Sequence, residues 1–209
     1  MKTRLCLVRH GETDWNVARR LQGHIDVPLN DNGVKQAEAT AVGLAGETFD
    51  AIYSSDLTRA RQTAEAAAQR LKLPIRFRPS LRERHYGVFQ GLTHVEGSAQ
   101  HPEAYRHFSA RELDYDIPGD GESLRRFGTR VHETLEEIAQ AHPGETVLVV
   151  THGGALHIAN RVASGQPIDA ARDYPIPNAA LNWLSYHEGH WEIERWADQR
   201  HLDGALDEI

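Results

Sequence analysis

The chain has 209 residues, 40% hydrophobic and 25% charged, the balance of a soluble globular protein with room for one sizeable core. Its formal charge of -7 includes no block of lysine and arginine, which excludes a nucleic-acid face built on counterion release. The N-terminal apolar run, residues 5–8, is too short for a secretion signal or a membrane span, so a cytoplasmic protein with no membrane partner is expected.

Taken in chain order, residues 3–8 read as a buried strand, within which the single cysteine, Cys6, is expected to be an inert thiol. Residues 33–44 follow as a helix with Val34, Ala37, Ala41 and Leu44 at helical spacing, and residues 51–53 as a second strand. An alanine-rich helix is predicted over 56–73, capped by Asp56 and closed by Pro74, and a third strand over 75–77. Residues 86–121 lack a clear period and are too polar for a core, which suggests an irregular cover. A long amphipathic helix over 122–141, a strand over 146–150 and a helix over 154–163 come next. Residues 180–186 and 191–196 flank His187-Glu188-Gly189-His190 as an antiparallel hairpin. This alternation specifies an α/β fold, a three-layer α/β/α sandwich with a mostly parallel central sheet and an antiparallel edge hairpin. One domain is expected over residues 1–200, with a short acidic tail at 201–209; nothing in the composition excludes a homodimer.

Open parallel sheets bind ligands beyond the carboxyl ends of their strands. Three predicted strands deliver polar groups to that edge: Arg9 and His10 after the first, Ser54, Ser55 and then Arg59 after the second, Thr151, His152 and Gly153 after the third. Arg59 falls in the first turn of its helix, where a cation is unfavourable unless a dianion offsets it, and Gly153 opens another helix with free N–H groups. Two guanidiniums that can fork onto oxygens point to phosphate. The same cations disfavour imidazolium, which keeps His10 neutral and nucleophilic, and a backbone carbonyl near Gly11 is expected to fix its tautomer.

Four ordered blocks, "LVRHGET" followed by "WN", "SSDLTRARQTA", "LRERHYGVFQGLT" and "VVTHGG", resemble the histidine phosphatase superfamily of phosphoglycerate-mutase-like enzymes over nearly the whole chain. The resemblance implies that His10 is the nucleophile, that Arg9, Arg59 and His152 hold the phosphoryl group, and that Glu83 gives and takes the proton. It further suggests Asn16, Gln22, Gly23 and Tyr86 as phosphate or substrate contacts, together with Gly153. Without it, Arg9 and His10 would read as a solvated strand end, and Glu83 as one member of a surface ion pair. Arg61 reads as paired with Glu65. The histidines His85, His94, His101 and His107 read as surface residues, since no paired carboxylates or cysteines stand at ligand spacing.

Hydrolysis is favoured over transfer. The cover carries Glu112, Asp114, Asp116 and Asp120, expected to repel a second phosphate, and Gly154 stands where the family's mutases have asparagine. "PGDGES" is similar to a turn of the family's small phosphatases, with Glu122 and Ser123 expected near the pocket. The expected protein is a metal-independent phosphomonoesterase, without a cofactor, acting through a phosphohistidine on a small phosphorylated metabolite. The alternatives are a cofactor-dependent phosphoglycerate mutase and a non-catalytic module that binds a phosphorylated ligand.

Overall fold

A computed structural model describes residues 1–202. In chain order its elements are β1 (Thr3–Arg9), α1 (Asp14–Val17), α2 (Asp31–Gly43), β2 (Ala51–Ser54), α3 (Thr58–Leu71), β3 (Ile75–Phe77), α4 (His94–Gln100), α5 (Pro102–Ser109), α6 (Leu124–Ala141), β4 (Thr146–Thr151), α7 (Gly153–Ser164), β5 (Leu181–His187) and β6 (His190–Asp198). The six strands form one sheet in the order β3-β2-β4-β1-β5-β6. The first four in that order are parallel, whereas β5 runs antiparallel to β1 and β6 to β5.

Side chains alternate across β1, with Leu5 and Leu7 packing beneath α6 and α7 while Cys6 and Val8 pack on the opposite face with α3. Helices cover both faces of the central strands, which is why those strands read as continuous apolar runs. Cys6 is fully buried, and desolvation pushes its thiol pKa up, so it is chemically quiet as expected. The hairpin between β5 and β6 turns on Glu188 (φ 50°) and Gly189 (φ 81°), both left-handed, as a two-residue primed turn requires. No helix among the described residues is long and apolar enough to cross a membrane.

Three expectations need correction. Asp56 does not cap α3, because its carboxylate is held by Arg82 at 2.6 and 2.7 Å. The free N–H of Thr58 donates instead to Asp26, brought in from a distant loop at 2.7 Å. The stretch 86–121 is not merely irregular: Thr93 and Glu96 form a capping box for α4, Pro102 starts α5, and Phe89, Ala104 and Ile117 make a small core of their own. The predicted tail begins too early, since Leu202 is buried and His201 Nε2 donates to the Ala179 carbonyl at 2.9 Å. The rest of it, residues 203–209, lies outside the described residues.

Candidate active site

The carboxyl edge of the sheet gathers Arg9 and His10 from β1, Ser55 after β2, and Thr151 and His152 from β4. Gly11 turns the chain away from His10 against the first turn of α2, and the approach is so close that a Cβ on Gly11 would lie 2.5 Å from the Gly33 carbonyl oxygen. The same turn presents the Gly11 carbonyl to the His10 ring, whose Nδ1 lies 2.7 Å from it. A carbonyl only accepts, so Nδ1 carries the proton and Nε2 keeps its lone pair. The expected tautomer-fixing bond is present.

Arg59 is fully buried in the first turn of α3, its Nη1 and Nη2 donating to the carbonyls of Ile25 and Gly23 at 3.0 and 2.8 Å. Arg9 Nη1 donates to the Ile176 carbonyl at 2.6 Å. Among the described residues neither arginine has an ion-pair partner, and the Nε of each is buried with no hydrogen bond. Desolvation lowers Arg59 only to about 10, so it stays a cation. Desolvation first, then the two arginines, hold His10 well below the usual histidine range. His152 is displaced the same way by burial and then Arg59; its ring stands 5.2 Å from that of His10, and its Nε2 contacts Ser55 Oγ at 2.8 Å.

Glu83 reaches this edge because Thr151 Oγ1 donates to the Leu81 carbonyl at 2.7 Å, pinning the segment before it to β4. Its own backbone carbonyl accepts from His24 Nε2 and Arg130 Nη2 at 2.8 and 3.2 Å. The carboxylate accepts from the backbone N–H of Arg84 and of Gly154, each at 2.8 Å, and so sits on the first turn of α7. A Cβ at Gly154 would lie 2.1 Å from Glu83 Oε1, so any side chain there would push the carboxylate out of its present position.

One cavity of about 860 Å³ is lined by Arg9, His10, Arg59, Glu83 and Gly153, and also by Asn16, Gln22 and Tyr86. His152 stands beside His10, fully buried, with its Nδ1 free of any hydrogen bond among the described residues. Asn16 spends its Oδ1 on the capping box of α1, leaving its Nδ2 without a hydrogen bond among the described residues. Gly23 does not line the cavity; it supplies the carbonyl that holds Arg59 and takes φ 53° to do so. Arg61 turns away to Glu65 at 3.6 Å, as its spacing predicts.

The acidic cover is the main correction. Asp114 and Asp116 pair outward with Arg125 and Arg126, Glu112 contacts His107, and none of these, nor Asp120, lines the cavity. Arg84, Arg111, His157 and Arg172 line it instead, so the wall is cationic. Sequence reasoning missed all four; Arg84 stands within a quoted block, but Arg111 and His157 carry no local signal. Glu122 and Ser123 also lie off the cavity, as the partner of Arg130 and the cap of α6. Among the described residues no cluster of histidines and acids could hold a metal ion; His94 and His107 are engaged with Tyr105 and Glu112.

The chain that builds this sheet edge belongs to the histidine phosphatase superfamily (branch 1), whose family model matches residues 5–199. The chain is 43% identical over 202 residues to phosphoglycerate mutase-like protein 4 of Arabidopsis thaliana, covering 95% of this chain and 86% of that protein. It is also 43% identical, over 205 residues, to the metal-independent phosphoserine phosphatase of Arabidopsis thaliana, covering 97% and 84%. Among solved structures, the mycobacterial glucosyl-3-phosphoglycerate phosphatase matches with a TM-score of 0.82 at 32% identity, over 95% of this chain and 100% of that one.

Proposed function

We propose that the protein is a cytoplasmic phosphomonoesterase that hydrolyses a small phosphorylated metabolite through a phosphohistidine on His10. The observation that carries this reading is the Nδ1 to Gly11 carbonyl contact of 2.7 Å, made beside two arginines that have no ion-pair partner among the described residues. It leaves a neutral Nε2 lone pair beside positive charge, the pairing that attack on a phosphate dianion needs.

His10 Nε2 attacks phosphorus, and the ester P–O bond breaks as the P–N bond forms. Arg9, Arg59 and His152 hold the equatorial oxygens while Glu83, entering this step in its acid form, gives its proton to the departing alkoxide and becomes the carboxylate. Water then attacks the phosphohistidine, its proton passes to the Glu83 carboxylate, the P–N bond breaks, and inorganic phosphate leaves with His10 neutral again. The name of the phosphoserine phosphatase relative supports hydrolysis without a metal. The inward arginines would also suit transfer between two anionic positions, so the mutase reading keeps one observation in its favour.

The test uses chelator-treated enzyme and two readouts. With p-nitrophenyl phosphate, phosphate release and an acid-labile, base-stable phosphoryl label on the protein are expected, and His10→Ala should lose the label and at least about 10³-fold in rate. A label retained in His10→Ala would overturn the assignment. With 3-phosphoglycerate and a trace of 2,3-bisphosphoglycerate, phosphate release without rapid formation of 2-phosphoglycerate supports hydrolysis, and the reverse makes the protein a mutase.

A further inference from the structure

We propose that Ser55 is a positioning residue: its hydroxyl donates to His152 Nε2 and so keeps the ring proton of His152 on Nδ1, as a donor for the phosphoryl oxygens beside His10. The proposal rests on the phosphomonoesterase reading and specifies how His152 does its part in it.

Ser55 follows β2 at the carboxyl edge of the sheet and is fully buried. Its backbone is held on both sides, the N–H donating to the Val150 carbonyl of β4 at 3.0 Å and the carbonyl accepting from Ser54 Oγ at 2.8 Å. The side chain is thereby delivered to the end of β4, where Oγ lies 2.8 Å from His152 Nε2. The backbone N–H of Leu57, two residues on, donates to the same Oγ at 3.3 Å, a local turn that serine favours.

Burial first, then Arg59, His10 and Arg9, keep His152 neutral, so its ring has a single proton to place. Were that proton on Nε2, Ser55 Oγ would accept from both Nε2 and Leu57. The hydroxyl proton would then find no acceptor among the described residues, and Nδ1 would be left as an unused lone pair. With the proton on Nδ1, Ser55 gives its hydroxyl proton to Nε2 while accepting from Leu57, and only Nδ1–H is left unspent. The first arrangement strands two buried groups and the second strands one, which favours the second. The end of α7 points the same way. His152 occupies its N-cap position, where a side-chain acceptor ordinarily takes a free N–H of the first turn, yet it makes no such bond. An Nδ1 that carries a proton cannot accept one.

The unspent donor belongs to a ring 5.2 Å from that of His10. An N–H there stabilises negative charge growing on the phosphoryl oxygens, whereas a lone pair would repel it. His10 and His152 thus share one tautomer for opposite purposes. The Gly11 carbonyl bares Nε2 of His10 for attack, and the Ser55 hydroxyl occupies Nε2 of His152 so that its Nδ1–H can donate.

Nuclear magnetic resonance of enzyme labelled with ¹⁵N-histidine, together with a double-mutant cycle, tests this. The chain has 13 histidines, so the ring signals missing from His152→Gln identify those of His152. In the wild type near neutral pH, long-range ¹H–¹⁵N correlation is expected to show a protonated Nδ1 and a bare Nε2 for that ring. Ser55→Ala should move the proton wholly or partly to Nε2 and lower kcat for p-nitrophenyl phosphate at least about tenfold. In the His152→Gln background the same Ser55→Ala change should cost less than about twofold, because there is no tautomer left to set. A wild-type His152 protonated on Nε2, or a tautomer unchanged in Ser55→Ala, would overturn the proposal. So would an equal loss in both backgrounds, which would make Ser55 a brace for the start of α3. The expected tautomers in an enzyme that releases no phosphate from the ester would instead overturn the phosphomonoesterase reading and leave the proton placement standing.

Discussion

The arginines of the cavity and those of the outer surface are held by different partners. On the outside, Arg82, Arg125, Arg126 and Arg130 each meet a carboxylate, at 2.6 to 3.0 Å. Inside, Arg9, Arg59 and Arg111 donate to backbone carbonyls or a neutral imidazole, and among the described residues no carboxylate pairs with them at contact distance, Glu83 acting on Arg9 and Arg59 only through space. The net charge of -7 gives no hint of this division, because surplus acid on the surface conceals a local surplus of cation within. Neutral partners orient a cation and leave its charge for a ligand; carboxylate partners spend that charge on the fold.

After the loss expected of His10→Ala, the largest effect should come from Gly154, at the floor. Gly154→Ala places a methyl group where Glu83 Oε1 lies, 2.1 Å away, and the displaced carboxylate should cost about 10²-fold in kcat. A wild-type rate in that variant would remove Glu83 from the chemistry.

Next in size is a pH effect on stability. His10, His152 and His157 are all held below the ordinary histidine range in the folded chain, desolvation being the first cause in each. Between about pH 6.5 and 5 an unfolded chain binds protons that the native state refuses, so stability falls as pH drops through that window and returns as it rises. Thermal melts at pH 7.5 and 5.0 should show it, and His152→Gln should flatten the dependence. Carboxylates held low by arginine, such as Asp56, act in the same direction only at more acidic pH. An acid-side Tm equal to that at neutrality would mean that these histidines are not buried neutral.

The smallest effect belongs to the outer arginines. Arg125→Ala and Arg126→Ala should each leave kcat/KM within about twofold, since exposed pairs with Asp114 and Asp116 contribute little and face away from the cavity. A tenfold loss in either would erase the distinction between the two sets.

The layer order, the parallel strands and the residues at their ends were legible because burial and strand direction are written in runs such as residues 5–8 and 147–150. Arg9, His10, Arg59 and His152 stand at strand ends or first helical turns, and so could be named from one dimension. What escaped depends on contacts between distant segments. Asp26 caps α3 from 32 residues away, and the cover folds around Phe89, Ala104 and Ile117, residues that show no period in their own neighbourhoods. The sign of the cover's charge was misjudged for the same reason. Composition counts Glu112, Asp114 and Asp116, but it does not say that they pair outward while Arg111 turns in. The capping box of Thr93 and Glu96 was readable and would have revealed α4.

The carbonyls of Gly23 and Ile25 fix Arg59 in the folded chain before any anion arrives. Capturing a phosphate therefore demands no reordering of that side chain, whose freedom, worth up to about 2 kcal/mol, was surrendered when the protein folded. The same rigidity applies on the way out. A floor that waits ready-made for an ester also grips the inorganic phosphate left after hydrolysis, so the geometry that hastens bond breaking shifts the slow event toward product departure.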